Sequence, residues 1–424
     1  MTQFARKNSW SLISDGKDLG KLLAMTFALA VIASQPAQAQ AFNVLHSFTQ
    51  GQDGGSPFAG LVMDRAGNLY GTTAYGGLGY GTVYKVAYKN STWVFAPLYS
   101  FGGGDDGANP QARVIIGPDG SLYGTTEFGA NGYGTVFKLS PPLRACKTAL
   151  CPWRETVLYR FTGGLDGGAP FGEVVFDKNG NIYGTTSLGG VGTCNNAYTC
   201  GVVYELTPSN GSWTESVLYS FTGANDGGAP AAGLIFDGAG NLYGTASVGG
   251  LYNKGVVFEL SPSGSGWDEN VLYSFQGPDG DEPVSRLIFD QVGDLFGTTE
   301  NGGFAGGGTA FQLRLSNGIW TQVNLYNFGA HDGDGLFPYD ALIMDESGNL
   351  YGTTSGGGPS NAGNVFELMP SNGAWTAIVL HNFTSGSDGA SPLSGLIFDT
   401  KGNLFGTAAS GGASGFGVIF ETTP

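Results

Sequence analysis

Charge is scarce in this sequence. Only 12 % of its 424 residues are Asp, Glu, Lys or Arg, about half the ~25 % of an ordinary soluble domain. The basic residues are the scarcer, 18 against 34 acidic ones. With no basic cluster to meet phosphates, this balance argues against nucleic-acid binding. Histidine occurs three times, as His46, His331 and His381, scattered and without H-E-x-x-H spacing, so no histidine metal centre is indicated. Nor is there a G-x-S-x-G nucleophile elbow, a C-x-x-C pair, or a glycine loop that opens a helix with a P-loop lysine. Past residue 40, no apolar run approaches the ~20 residues that span a bilayer, so no membrane span is expected.

What abounds is glycine, 75 residues, against a typical ~7 %. Such chains can be disordered, but 13 % aromatic and 41 % hydrophobic residues supply the apolar surface that disordered chains lack. A turn-rich β protein remains. The first 39 residues differ in character. Arg6, Lys7, Lys17 and Lys21 precede the apolar run LLAMTFALAVIA (22–33), and an A-x-A site follows at Ala37–Ala39. That order reads as an export signal over 1–39 and predicts a secreted or periplasmic protein. Those residues hold four basic and two acidic groups, which leaves 14 basic against 32 acidic. The resulting acidic surface favours a soluble monomer.

The phrase N-L-Y-G-T-T recurs with its aromatic at Tyr70, Tyr123, Tyr183, Tyr243, Phe296, Tyr351 and Phe405, at spacings of 53, 60, 60, 53, 55 and 54 residues. A period this long marks a unit that buries its core only against its neighbours. The unit at 230–275 shows the plan. PAAGLIFD ends in the turn D-G-A-G-N, NLYGTAS runs into a glycine-rich loop, GVVFELSP ends in a Ser/Pro/Gly turn, and WDENVLYSF is closed by D-G-D-E-P. Four short strands joined by hairpin turns make a propeller blade, whereas a β-solenoid would pair its strands between repeats. The expectation is an all-β fold: one domain over 40–424, a seven-bladed β-propeller of four-stranded antiparallel blades starting near residues 57, 110, 170, 230, 283, 338 and 392. The closing aromatics of the outer strands are Phe48, Phe101, Phe161, Phe221, Phe275, Phe328 and Phe383. The last unit stops after its third strand, GVIFET, while AFNVLHSFT (41–49) is an outer strand with no blade before it. Residues 42–49 should therefore complete blade seven and leave no orphan edge.

Most of the repeated residues have structural explanations. The glycine after each aromatic (Gly71, Gly124, Gly184, Gly244, Gly297, Gly352, Gly406) should permit close blade-on-blade packing. Pro57, Pro110, Pro170, Pro230, Pro283, Pro338 and Pro392 open the innermost strand, where a missing N–H is tolerated. Trp93, Trp153, Trp213, Trp267, Trp320 and Trp375 each precede a closing Phe by eight residues and should anchor the outer strand. An aspartate followed by glycine stands four residues before each proline: Asp53, Asp106, Asp166, Asp226, Asp279, Asp334 and Asp388. These are expected to be turn residues, each capping an N–H two residues on. Spaced by roughly 10 Å from blade to blade, they cannot share a calcium ion, which needs six to eight oxygens at about 2.3–2.6 Å. No cofactor or metal is therefore expected at this ring.

Irregular positions are better guides to function. Three residues after each proline stand Gly60, Arg113, Glu173, Gly233, Arg286, Ala341 and Gly395, with Asp340 beside Ala341. This position lies near the mouth of the central channel. Arg113, Glu173, Arg286 and Asp340 form either a local ion pair that plugs the channel or a polar ligand pocket. The four cysteines fit an oxidising compartment. Cys146 and Cys151 interrupt a third-to-fourth-strand loop and Cys194 and Cys200 a second-to-third-strand loop, on opposite faces of a blade. A disulfide needs Cα atoms within ~7 Å, so the expected pairs are Cys146–Cys151 and Cys194–Cys200.

GNLYGTTAYGGLGYGTVYKV (67–86), NLYGTTSGGG (349–358) and NLFGTAASGG (403–412) resemble the Gloeo/Verruco tandem repeat of exported bacterial proteins, and the resemblance covers all seven units. It implies a bacterial exported protein with a variable anchoring tail. The chain ends at ETTP424 with no such anchor, which favours free secretion or the periplasm. The resemblance implies no agreed activity and no catalytic residues. LIFDGAGNLYGTA (234–246) is also similar to blades of the NHL and antibiotic-lyase propellers, which agrees with the fold. With no catalytic set in the sequence, the leading expectation is a non-catalytic exported propeller, a rigid binding scaffold for a protein or glycan partner. The alternatives are a lyase or hydrolase working at the channel mouth, and a calcium-stabilised surface protein.

Overall fold

A computed structural model describes residues 41–129, 131–142, 153–194, 199–264, 266–371 and 373–424. Seven four-stranded antiparallel sheets follow one another along the chain and form a seven-bladed β-propeller. In the first blade the strands run, inside to outside, Val62–Met63, Leu69–Thr73, Thr82–Lys89 and Thr92–Ser100. The inner strand is two residues long because the turn at Asp64–Asn68 begins at once. The second strand is buried at all five positions in every blade, since a neighbouring blade covers each of its faces. The outer strand alternates exposed and half-buried residues, as in TWVFAPLYS. Blade seven is composite. Phe42–Ser47 pairs antiparallel with Val418–Thr422, and Phe48 N–H donates to Gly417 O at 3.0 Å.

The hydrophobic core is a ring of seven clusters, each built across a blade junction. At the closing junction Phe48, Phe405 and Ile419 of blade seven pack on Leu61, Leu69 and Tyr84 of blade one. Each tryptophan reaches back to the motif aromatic of the preceding blade: Trp93 lies 5.6 Å from Phe405, Trp153 6.1 Å from Tyr70 and Trp267 6.3 Å from Tyr183, ring centre to ring centre. A polar ring runs inside this apolar one. The first threonine of each N-L-Y-G-T-T phrase donates to a backbone carbonyl at the start of the next blade, as in Thr72 to Ala112 at 3.1 Å and Thr185 to Ala232 at 2.8 Å. Thr407 closes the circle on Ala59 at 2.9 Å.

Two expectations need correcting. The glycine after each motif aromatic serves its own blade, not the contact between blades. Gly124 lies directly opposite Phe137 on the third strand, and a Cβ there would sit 2.8 Å from that ring. In all seven blades the third-strand aromatic fills the space over this glycine, and in six a leucine or valine just before the inner strand crowds it too. The aspartates at the blade-to-blade turns also point the other way. Their carboxylates accept from N–H groups behind them, such as Thr49 on Asp53 at 3.0 Å and Gly102 on Asp106 at 2.7 Å. The forward capping belongs to a second series at the inner hairpins. There Asp64, for example, accepts from Ala66 and Asn68, both at 2.9 Å, and Asp177 from Asn179 and Asn181, both at 2.8 Å.

Candidate functional site at the channel mouth

The prolines do not open the inner strands, which begin five residues later at Val62, Ile115, Val175, Ile235, Ile288, Ile343 and Ile397; the irregular segments between supply the residues that line the channel mouth. The sequence-selected charges meet there. Arg113 of blade two grips Glu173 of blade three with two bonds, Nε to Oε2 at 2.6 Å and Nη2 to Oε1 at 2.7 Å. Arg286 of blade five reaches across the channel and places Nε 2.6 Å from Glu173 Oε1. The glycines at the same level make room for them. A Cβ on Gly233 would collide with the Glu173 side chain, and one on Gly395 would crowd Asp340. Asp340 of blade six joins neither arginine directly. Its carboxylate takes the Gly395 N–H and the Ala341 N–H, both at 2.6 Å.

Arg113 and Glu173 hold each other in the ionised state. Burial pushes the Glu173 carboxyl up, but the two guanidiniums override it and hold it below the usual range. Burial would lower Arg113, yet Glu173 and Asp340 more than offset that and keep it firmly protonated. A carboxylate so stabilised is a weak proton acceptor near neutral pH. Above the cluster lies a cavity of about 270 Å³ walled by Phe58, Phe171, Val284, Tyr339 and Leu393. Gln111 lines it too and donates to Glu127. Among the described residues, no group of three or more His, Cys, Asp or Glu side chains could hold a metal ion, and no helix is long and apolar enough to cross a membrane.

The profile of the Gloeobacter/Verrucomicrobia repeat matches residues 26–197 and 190–420. The chain belongs to the Gloeobacter/Verrucomicrobia repeat family. No curated protein matches it in sequence. Among solved structures it is similar to the extracellular domain of a putative one-component system from B. thetaiotaomicron, with a TM-score of 0.53 and 12 % identity over 91 % of this chain and 42 % of the other. The chain thus spans less than half the length of that protein. A putative 6-phosphogluconolactonase from Bacteroides uniformis is similar at a TM-score of 0.48 and 16 % identity, over 79 % of this chain and 88 % of that one. At 12 % identity the likeness to the first of these shows the fold alone.

In this Gloeobacter/Verrucomicrobia repeat protein the junctions between blades carry a pattern that reading the sequence unit by unit missed. Each turn aspartate accepts a second bond from the outer strand just before it. The donor is a tyrosine at five junctions, as in Tyr99 to Asp106 at 3.0 Å and Tyr219 to Asp226 at 3.1 Å. At the other two it is a histidine, His46 to Asp53 at 3.0 Å and His381 to Asp388 at 3.1 Å. The next blade's outer strand answers in kind. Both histidines stack on a phenylalanine, His46 on Phe95 at 4.0 Å and His381 on Phe42 at 3.6 Å. Three tyrosine junctions face Glu155, Glu215 and Glu269 instead, and each of these has a buried carboxylate oxygen without a hydrogen-bond partner. Burial, then the nearby turn aspartate (Asp106, Asp166 or Asp226), pushes each glutamate up to about 7. The signal was present as a residue six positions before each closing Phe, but its partner belongs to another unit.

Cys194 and Cys200 are joined, with Cα atoms 5.2 Å apart, and their sulfurs cover Gly223 of the next turn. Tyr80 and Tyr133 cover the equivalent Gly103 and Gly163 in other blades. The expected Cys146–Cys151 pair lies outside the described residues.

Proposed function

We propose that the chain is an exported, non-catalytic propeller that binds a protein or glycan partner through the end bearing the channel mouth. One observation carries this reading. Eight Tyr or Phe side chains among the described residues are more than a third exposed, and seven of them (Tyr75, Tyr80, Phe128, Tyr133, Tyr252, Phe304, Tyr339) stand at that end, with Tyr88 elsewhere. They sit on the second-to-third-strand loops and just before an inner strand, so blades one, two, four, five and six all contribute. Gathered exposed aromatics of this kind suit interfaces and sugar faces. Phe304 is 77 % exposed and Leu251, next to Tyr252, 65 %, which a solitary monomer has no reason to keep. The Glu173 carboxylate at the centre of the mouth is already held by two arginines, which disfavours it as a catalytic acid or base. The leader-like pattern of 1–39 and the Cys194–Cys200 bond support export into an oxidising compartment.

The test is a panel of glycans and co-secreted proteins screened by biolayer interferometry against the mature chain and a Phe128→Ser/Tyr252→Ser/Phe304→Ser variant. Binding that the variant loses at unchanged melting temperature is expected. Turnover of any panel member, or a ligand bound equally by both proteins, would overturn the reading.

A further inference from the structure

We propose that the channel mouth is a binding site for a small monocarboxylate, seated on the free edge of the Arg286 guanidinium. This deepens, and rests on, the reading of that end as a binding face. Glu173 takes hydrogen bonds from the Nε and Nη2 of Arg113, and the Nε of Arg286 is an ion-pair contact 2.6 Å from its Oε1. Both oxygens of Asp340 are spent on backbone N–H groups. Among the described residues, no acceptor takes the Nη hydrogens of Arg286, yet its side chain is only 19 % exposed and lines the cavity. A guanidinium removed from bulk water with its donor fork open is matched by a carboxylate, which accepts two parallel bonds. Asp340 also lines the cavity, so the mouth holds two guanidiniums against two carboxylates, and it is the open fork of Arg286 rather than net charge that draws the ligand.

The surroundings narrow the ligand further. Apart from the charged cluster and Gln111, the walls are apolar or aromatic, so the carboxylate should ride on a ring or short apolar body. At about 270 Å³ the cavity is at the lower limit of the roughly 300–1,000 Å³ of small-molecule sites, which suits a single ring. Glu127, Glu282 and Glu300 all press electrostatically on the Tyr339 hydroxyl at the opening. A second negative charge on the ligand would meet them, so dicarboxylates and phosphate dianions should be rejected.

Calorimetric titration of the mature chain with phenylacetate, phenylacetamide, phenylmalonate and glucuronate tests this. Phenylacetate should bind at least tenfold more tightly than its neutral amide and than the dianionic malonate. Glucuronate tells whether a sugar acid is taken as readily as an arene acid. Arg286→Met should abolish binding and still fold, because Glu173 keeps both bonds from Arg113. Leu393→Trp fills the mouth without touching any charge and should abolish binding too, so the proposal stays testable if Arg286→Met misfolds. Equal affinity for phenylacetate and phenylacetamide, or binding that survives in a folded Arg286→Met or Leu393→Trp protein, overturns it, as does the failure of both acids to bind. Loss of partner binding in the loop-tip variant with phenylacetate binding intact would remove the partner reading and leave this one standing.

Discussion

Glu155, Glu215 and Glu269 each bury a carboxylate oxygen against a second carboxylate, and glutamine stands at the equivalent place in the next junction. There the amide of Gln322 donates to the Asp279 carbonyl at 3.3 Å. The perturbation to make is therefore Glu155→Gln/Glu215→Gln/Glu269→Gln, which extends the chain's own solution to three more junctions. Each glutamate is raised from 4.5 to about 7, by burial first and the facing aspartate second. Taken at face value, such a shift is worth about 3 kcal/mol per group. Each side chain is half-buried and still partly meets water, so screening reduces this to about 1 kcal/mol each. The sign follows from proton binding. Between pH 4.5 and 7 the folded state holds protons that the unfolded chain has released, so these groups make stability fall as pH rises through that window. Glutamine removes the loss. The triple variant should match the parent at pH 4.5 and be more stable at pH 8 by about 3 kcal/mol, a rise of about 4 °C for a chain of this size. Calorimetric melts from pH 4.5 to 8.5 read this directly. A variant that melts at or below the parent at pH 8, or that gains equally at both pH values, would refute the junction argument.

The histidine junctions tilt stability the other way. Burial lowers His46 and His381 despite their aspartate partners, so they contribute stability above about pH 6.5 that is lost as pH falls below it. His46→Tyr, which copies the other five junctions, should flatten the melting curve between pH 6.5 and 5 and change little at pH 7.5. Tyr84 and Tyr204 bury hydroxyls without partners where the other five blades have phenylalanine, so Tyr84→Phe and Tyr204→Phe should each raise stability by about 1–2 kcal/mol in denaturant melts. Phe48→Ala should cost about 3–5 kcal/mol, as much as Phe101→Ala inside the ring. Deleting 41–49 should cost more still, although trimming a chain end is usually mild. A Phe48→Ala loss below about 1 kcal/mol would contradict closure through that strand.

The sequence by itself determined the number of blades, their order of strands and the identity of the strand that closes the ring. These follow from local chemistry: hairpin turns, a period-two pattern and one repeat interval counted along the chain. Arg113, Glu173, Arg286 and Asp340 could also be picked out, because they interrupt a position the other blades keep small. Only the tertiary structure decided how those four divide their bonds. Arg286 and Glu173 are 113 positions apart in the chain, and which side chains span a narrow channel depends on side-chain length and rotamer, which no repeat interval records. The facing of Glu155 on Asp106, or Phe95 on His46, was hidden for the same reason. Each partner looks ordinary within its own unit, and the pairing exists only once neighbouring blades pack, because that packing strips the carboxylates of water and brings the rings into contact.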